Sequence, residues 1–343
     1  MILLSEMLAP RPELLWQLVR QAGVSTVVGT LNGGEQDQRM FASVGASSPG
    51  AVDNGTAPWS EASLRRDKAI YEDHGFTVAA IEDTPPLDKA RLGLPGRDEQ
   101  IENVITQVRA MGALNIPVLC YNWMAVSSWA RTRVDVPGRG GALVTGFSER
   151  LSRALPPTIQ PGEVTADQLW SALRYFLDAV VPVAEEAGVR LSMHPDDPPL
   201  PAVRNVPRIM SSLEGFRRLL ELRPSEANSI TFCQGNFALM TDALPHVIRE
   251  FGSRGAISFV HFRDVRGTAD DFVEVFHDEG QNDMAECLRA YVETGFDGPM
   301  RPDHVPTMAG ESNARPGYET LGRLFAIGYI RGLQHAITPE LAG

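Results

Sequence analysis

Short β-branched runs alternating with amphipathic stretches constrain this chain more than any other feature of it. Runs at 25–28, 77–81, 118–121, 189–193, 229–232, 256–260, 272–276 and 298–301 read as strands. Apolar spacing predicts helices over 12–22, 63–74, 97–111, 165–187, 211–222, 241–251, 283–294 and 318–336. Thr165-Ala-Asp-Gln168 has the spacing of a capping box, and Pro182 predicts a kink or break in the helix that follows. Strands that alternate with helices form parallel α/β sheets, and eight units in 343 residues favour closure into a (β/α)8 TIM barrel over a doubly wound sheet. No Gly-x-Gly-x-x-Gly follows a predicted strand, so a dinucleotide-binding fold lacks its main support. Residues 1–343 are expected to form one domain, with long loops at about 32–63 and 125–161.

Lys and Arg number 31 against 43 Asp and Glu, a net charge of −12. That balance argues against a nucleic-acid partner, whose footprint is basic. It leaves room for a small anionic substrate, which needs only a few local arginines. Cys120, Cys233 and Cys287 are too few, and odd in number, for a disulfide framework, which points to a reducing compartment. The apolar start is short, has no basic lead and is interrupted by Glu6 and Pro10. No run approaches the roughly 18–20 apolar residues of a membrane-spanning helix. The reading is a cytoplasmic enzyme with neither a membrane segment nor a nucleic-acid partner. Association into a homo-oligomer is compatible with such a barrel, although the sequence marks no interface.

In a β/α barrel the C-terminal ends of the strands converge on one mouth, so residues far apart in sequence can share a site. The stretch RLSMHPDDPP at 190–199 runs a strand into His194, two aspartates and a proline stop. Three later strands end comparably, at Cys233 in SITFCQGN, His261 in ISFVHFRDV and Asp303 in GPMRPDH. In this count His194 ends the fourth strand, Cys233 the fifth, His261 the sixth and Asp303 the eighth. Two imidazoles, a thiolate and a carboxylate are accepted ligands of a divalent transition metal. Each has a plainer reading: a cysteine as a small buried hydrophobe, a histidine as a satisfied donor, an aspartate as a cap or turn former. Taken together, in register with the strand ends, they point to a metal site. His304 follows Asp303 directly and can move protons at that mouth. Tyr318, in the Pro316-Gly317-Tyr318 turn, is either a second proton carrier or a packing residue. Arg263 could fork onto a substrate carboxylate or pair with Asp264. Asn122 could bond a sugar hydroxyl or only form a turn, and Asp196 and Asp197 either back the site or lie in a solvated turn. His277, at the end of the expected seventh strand, and the loop arginines Arg131 and Arg133 are further candidates.

At these residues the sequence resembles the mannonate dehydratase family of xylose-isomerase-like barrels. The matching pieces are YNWM at 121–124, WARTR at 129–133, PVAEEAGVRLSMHPDDPP at 182–199, ITFCQGN at 230–236, VHFRDV at 260–265, RPDH at 301–304 and PGY at 316–318. They run in order from about residue 101 to 333. The resemblance implies dehydration of D-mannonate to 2-keto-3-deoxy-D-gluconate, with metal ligands at His194, Cys233, His261 and Asp303 and proton-transfer residues at His304 and Tyr318. It implies Mn²⁺ as the ion, with Fe²⁺, Co²⁺ and Zn²⁺ as alternatives; the soft thiolate and imidazoles alone would suit zinc. Asn122, Arg263 and Asp196 are the expected substrate contacts. Three departures stand beside the match. Val305-Pro306 follows the Asp-His pair where the family commonly has Gly and then Arg or His. Gln234-Gly235-Asn236 replaces a common Thr-Gly-Ser, and the first 60 residues lack the usual N-terminal pattern. Those departures leave another aldonic acid, a sugar isomerase or epimerase on the same barrel, and a non-catalytic sugar-acid binder as alternatives.

Overall fold

The computed structural model describes residues 2–32 and 56–337. Eight parallel strands close into a barrel: β1 (Leu3–Leu8), β2 (Thr26–Gly29), β3 (Thr77–Ile81), β4 (Val118–Asn122), β5 (Arg190–His194), β6 (Asn228–Cys233), β7 (Ile257–Phe262) and β8 (Pro299–Pro302). Each pairs with its neighbours in sequence, and β8 returns to β1 through Leu3–Pro299 and Leu4–Met300. Strands covered by helices outside and side chains inside must be apolar throughout, and every residue of β6 and β7 is buried. One long helix follows each strand, from Leu14–Gln21 after β1 to Thr320–Ile337 after β8. Local signals set their ends. Thr165 and Gln168 form the expected capping box, and Gly188 ends that helix in the left-handed conformation that glycine tolerates best. The helix Ala166–Ala187 runs through Pro182 without the predicted break.

Four sequence expectations are corrected. The first barrel strand, Leu3–Leu8, was not anticipated. The run at 272–276 is no barrel strand: Asp271–Glu274 lies in a four-stranded antiparallel sheet with Val265–Thr268, Leu143–Ser148 and Arg133–Pro137. His277 therefore ends no barrel strand. With one strand gained before the site and one lost after it, His194, Cys233 and His261 belong to the fifth, sixth and seventh strands, and Asp303 still follows the eighth. The expected loop at 125–161 carries two arms of the antiparallel sheet and a short helix, Glu149–Arg153. Of the expected loop at 32–63, residues 33–55 lie outside the described residues, and Glu61–Asp73 is helix. The antiparallel sheet is fed by the connections after β4 and β7, which places it at the C-terminal mouth of the barrel.

Below that mouth the barrel interior holds a small polar layer. Thr231 and Ser258 each donate to the Ser192 hydroxyl at 2.8 Å, and Thr231 also reaches Cys120 Sγ at 3.2 Å. Buried hydroxyls are tolerated because they satisfy one another.

Candidate active site and metal centre

β5, β6 and β7 bring His194, Cys233 and His261 together, with one donor atom of each within 4.8 Å of the other two. Asp303 joins them from the end of β8: its Oδ2 lies 3.7 Å from both Cys233 Sγ and His261 Nδ1. His194 Nδ1 donates to the Pro195 carbonyl at 2.7 Å, which leaves its Nε2 lone pair free. Cys233 is fully buried and receives a hydrogen bond from Asn236 Nδ2 at 3.5 Å. Neither ring nitrogen of the buried His261 makes a well-aligned hydrogen bond among the described residues; only carboxylate oxygens of Glu82, at 3.3 Å, and Asp303, at 3.7 Å, face them. Buried imidazole nitrogens are rarely left so, and converging nitrogen, sulfur and oxygen donors fit a divalent transition-metal cation.

His304 and Tyr318 stand beside this cluster. The Tyr318 hydroxyl is 3.3 Å from His304 Nε2 and 3.4 Å from Asp303 Oδ1. Trp129 packs edge-on against the imidazole, with ring centres 5.0 Å apart. Burial drives the His304 imidazole well below its ordinary pKa, against the opposing pull of Asp303. Burial, followed by the Asp303 charge, pushes the Tyr318 phenol well up. Burial would also raise the Asp303 carboxyl, but the positive charge around it, including the guanidiniums of Arg301 and Arg263 at 3.0 and 2.9 Å, outweighs it and holds the group well below the usual carboxylate range.

Two residues of the mouth were missed in the sequence. Glu82, just past β3, has Oε2 3.3 Å from His261 Nε2. Arg301 donates to both Glu82 oxygens at 2.8 Å and to Asp303 Oδ1 at 3.0 Å. The strand-end logic that found His194 applies equally to Glu82, but an acidic pair followed by Thr-Pro-Pro reads first as a turn.

The expected substrate contacts are placed differently from one another. Asn122 lines the small cavity, about 40 Å³, that opens between His194, Asp303 and Tyr318. Its Oδ1 accepts from Arg91 and from the Met124 amide. Arg263 is fully buried behind Asp303 and is not among the residues lining that cavity. It pairs with Glu274 at 2.6 Å, Asp303 at 2.9 Å and Asp197 at 3.2 Å rather than with Asp264. Asp196 turns away to accept from the Met210 amide at 2.7 Å and to face Arg208 at 3.7 Å. Asp197, its neighbour, does line the cavity and accepts from both terminal nitrogens of the Arg131 guanidinium, at 2.7 and 2.9 Å. Arg133 lies at the surface against Asp271. His277 is buried outside the cavity lining.

The departures from the family pattern are equally specific. Gln234 bonds Met284 and Tyr291 on the neighbouring helix, away from the cavity. The Val305 amide donates to Gly317 and so docks the turn that carries Tyr318. A larger groove, about 890 Å³, lies at the opposite end of the barrel around Arg190, Asn228 and Arg254 and gathers none of these groups.

Comparison with known proteins bears on the whole arrangement. The sequence model of the D-mannonate dehydratase (UxuA) family matches residues 11–158 and 149–341, so the match reaches into the N-terminal region that lacked the usual pattern. The chain is 33% identical over 306 residues to Mannonate dehydratase 2 of Halalkalibacterium halodurans, covering 82% of this chain and 88% of the relative. It is 33% identical over 313 residues to a mannonate dehydratase of Thermotoga maritima, covering 81% and 86%. The crystal structure of mannonate dehydratase from Streptococcus suis superposes with a TM-score of 0.85 at 29% identity, over 99% of this chain and 94% of that one. More distant barrels share the fold alone, such as a D-tagatose 3-epimerase-like protein at 12% identity and a TM-score of 0.58. Among the described residues no helix is long and apolar enough to cross a membrane.

Proposed function

Because the chain belongs to the D-mannonate dehydratase family, we propose that it removes water from D-mannonate to give 2-keto-3-deoxy-D-gluconate. The observation that carries the reading is the placement of Tyr318 and His304 within one hydrogen-bond length of each other, beside the donor cluster of His194, Cys233, His261 and Asp303. Those four side chains would hold the divalent cation, Mn²⁺ in this proposal. A cation there would supply positive charge against the substrate carboxylate as C2 loses its proton.

The chain's own groups do the proton work. His304, kept neutral by burial, has a lone pair with which to take the proton from C2. Tyr318 keeps its phenolic proton at neutral pH and can deliver it to the C3 hydroxyl as the C3–O bond breaks. The electron pair of the C2–H bond becomes the C2–C3 double bond, water leaves, and the resulting enol becomes the 2-keto acid by moving a proton to C3. Trp129 packs against both rings and keeps bulk water from that side. Asn122 and Asp197, both on the cavity wall, are the proposed hydroxyl contacts. Arg263 and Asp196 are proposed to act on the substrate only through the groups they hold. Three buried, unpaired cysteines suit a reducing cytoplasm.

The test is turnover of a panel of aldonic acids by Mn²⁺-loaded protein, with detection of the 2-keto-3-deoxy product. D-mannonate is the expected substrate. Turnover of a different acid alone would overturn the substrate assignment, and silence across the panel with Mn²⁺ bound would overturn the dehydratase reading.

A further inference from the structure

His261 has two faces. Nδ1 looks toward Asp303 Oδ2, 3.7 Å away, and Nε2 toward Glu82 Oε2 at 3.3 Å. Glu82 is not one of the four donors, yet both of its carboxylate oxygens are hydrogen-bonded. Arg301 Nε donates to Glu82 Oε2 and Nη2 to Oε1, both at 2.8 Å, while Nη1 reaches Asp303 Oδ1 at 3.0 Å. One guanidinium therefore fixes both the carboxylate behind His261 and the carboxylate donor beside it. A neutral imidazole offers one N–H and one lone pair. A cation needs the lone pair, and a carboxylate that can only accept favours the N–H on the side facing it.

From this geometry we propose that Glu82 is a positioning residue of the metal centre: it holds His261 in the tautomer with its proton on Nε2 and so makes Nδ1 the donor atom. The inference rests on the cation site proposed above and adds to it a residue outside the donor set. His194 offers a contrast within the same site. There the Pro195 carbonyl takes the Nδ1 proton and leaves Nε2, so the two imidazoles would meet one cation through opposite nitrogens.

Glu82, Cys120 and His261 also have donor atoms within 4.8 Å of one another, which raises the alternative of a second cation. The surroundings oppose it. Both Glu82 oxygens already accept from Arg301, so a cation there would stand against a buried guanidinium. Cys120 accepts from Thr231, and burial pushes its thiol well above the ordinary range. The triad serves better as support for His261 than as a site of its own.

Two measurements on the full chain test this. Long-range ¹H–¹⁵N spectra of metal-free wild-type protein labelled at histidine, at mildly alkaline pH and assigned with His261→Gln, read the tautomer directly. Calorimetric titration with Mn²⁺ compares the wild type with Glu82→Gln. The expected result is a protonated Nε2 with an unprotonated Nδ1 at His261, and Mn²⁺ binding about 10–100-fold weaker in Glu82→Gln. A proton on Nδ1, alone or together with Nε2, would overturn the proposal. So would Mn²⁺ binding by Glu82→Gln as tight as by the wild type. The spectra use the unaltered chain and decide the matter even if the variant does not fold. A wild type that binds no Mn²⁺ would sink the cation site as well, whereas one that binds Mn²⁺ with the other tautomer would sink Glu82 alone.

Discussion

Asp303 is crowded: Arg263, Arg301, Tyr318, His261 and Cys233 all bring a polar atom within 4 Å of its carboxylate. Such crowding separates residues that bind from residues that react. Cys233→Ala removes a donor without touching the proton carriers, so the purified variant is expected to lose most of its Mn²⁺; unchanged metal content would refute the four-donor site. His304→Ala is expected to keep its metal and lose about 10²–10⁴-fold in kcat; near-normal turnover would remove His304 from the mechanism. At this scale the convergence of His194, Cys233, His261 and Asp303 was legible because each ends or directly follows a strand-like run. Glu82 was not, since nothing in the sequence ties it to Arg301 more than two hundred residues away. Arg263 was misjudged for a related reason. Strand alternation aims it at the mouth, but Asp197, Glu274 and Asp303 intercept it first.

Among the elements, glycines test how tightly the site is framed. A Cβ at Gly235 would lie 2.5 Å from Arg263 Nη1, and that guanidinium cannot swing aside without breaking its ion pairs. Gly235→Ala is therefore expected to destabilise the fold by about 1–3 kcal/mol and to lower turnover, read by urea unfolding and by assay. Gly328→Ala, in the last helix with nothing near its Cβ among the described residues, is expected to stabilise by about 0.4–1 kcal/mol instead. A destabilised Gly328→Ala would mean that the outer face of that helix packs against something. Helices were the most legible elements, because caps such as Thr165-Gln168 are local chemistry. The strands show where such signals stop. β1 hides a buried charge, Glu6, which makes sense only beside Arg323 in the last helix, 2.7 Å away. The run at 272–276 is as rich in Phe and Val as any strand, and such a run cannot distinguish the arm of an antiparallel sheet from a barrel stave.

Across the whole molecule, a buried charge lattice joins the antiparallel sheet to the barrel. Arg131 reaches Asp197 and Glu274, and Arg263 reaches the same two carboxylates. Burial would raise the Asp197 carboxyl, but Arg131 and Arg263 outweigh it and hold it well below its ordinary 3.8. A carboxyl depressed by folding adds stability above its unfolded pKa and loses it as pH falls through the folded value. Asp197→Asn is thus expected to cost about 3–5 kcal/mol at neutral pH, because it strands buried guanidinium charge. It should also flatten the fall of stability below pH 3.8 relative to the wild type. Glu274 is raised chiefly by burial and in part by the Asp197 charge, so its own titration moves down in the variant and the comparison reads the pair. Equal slopes in acid would mean that the lattice does not hold Asp197 ionised.

The closure of β1 on β8 has a consequence in time. The barrel cannot shut until the strand that pairs with Leu3 and Leu4 has been made, and Asp303 lies immediately beyond that strand. At roughly 5–20 residues per second, His194 would wait several seconds or more on the ribosome for its last partner to be synthesised. A nascent chain short of Asp303 would hold three donors on an open sheet, with the thiol of Cys233 already present. Until then a cation proposed to sit against that thiol would have no complete seat, and the thiol would be as open to reaction as any other in an unfinished chain.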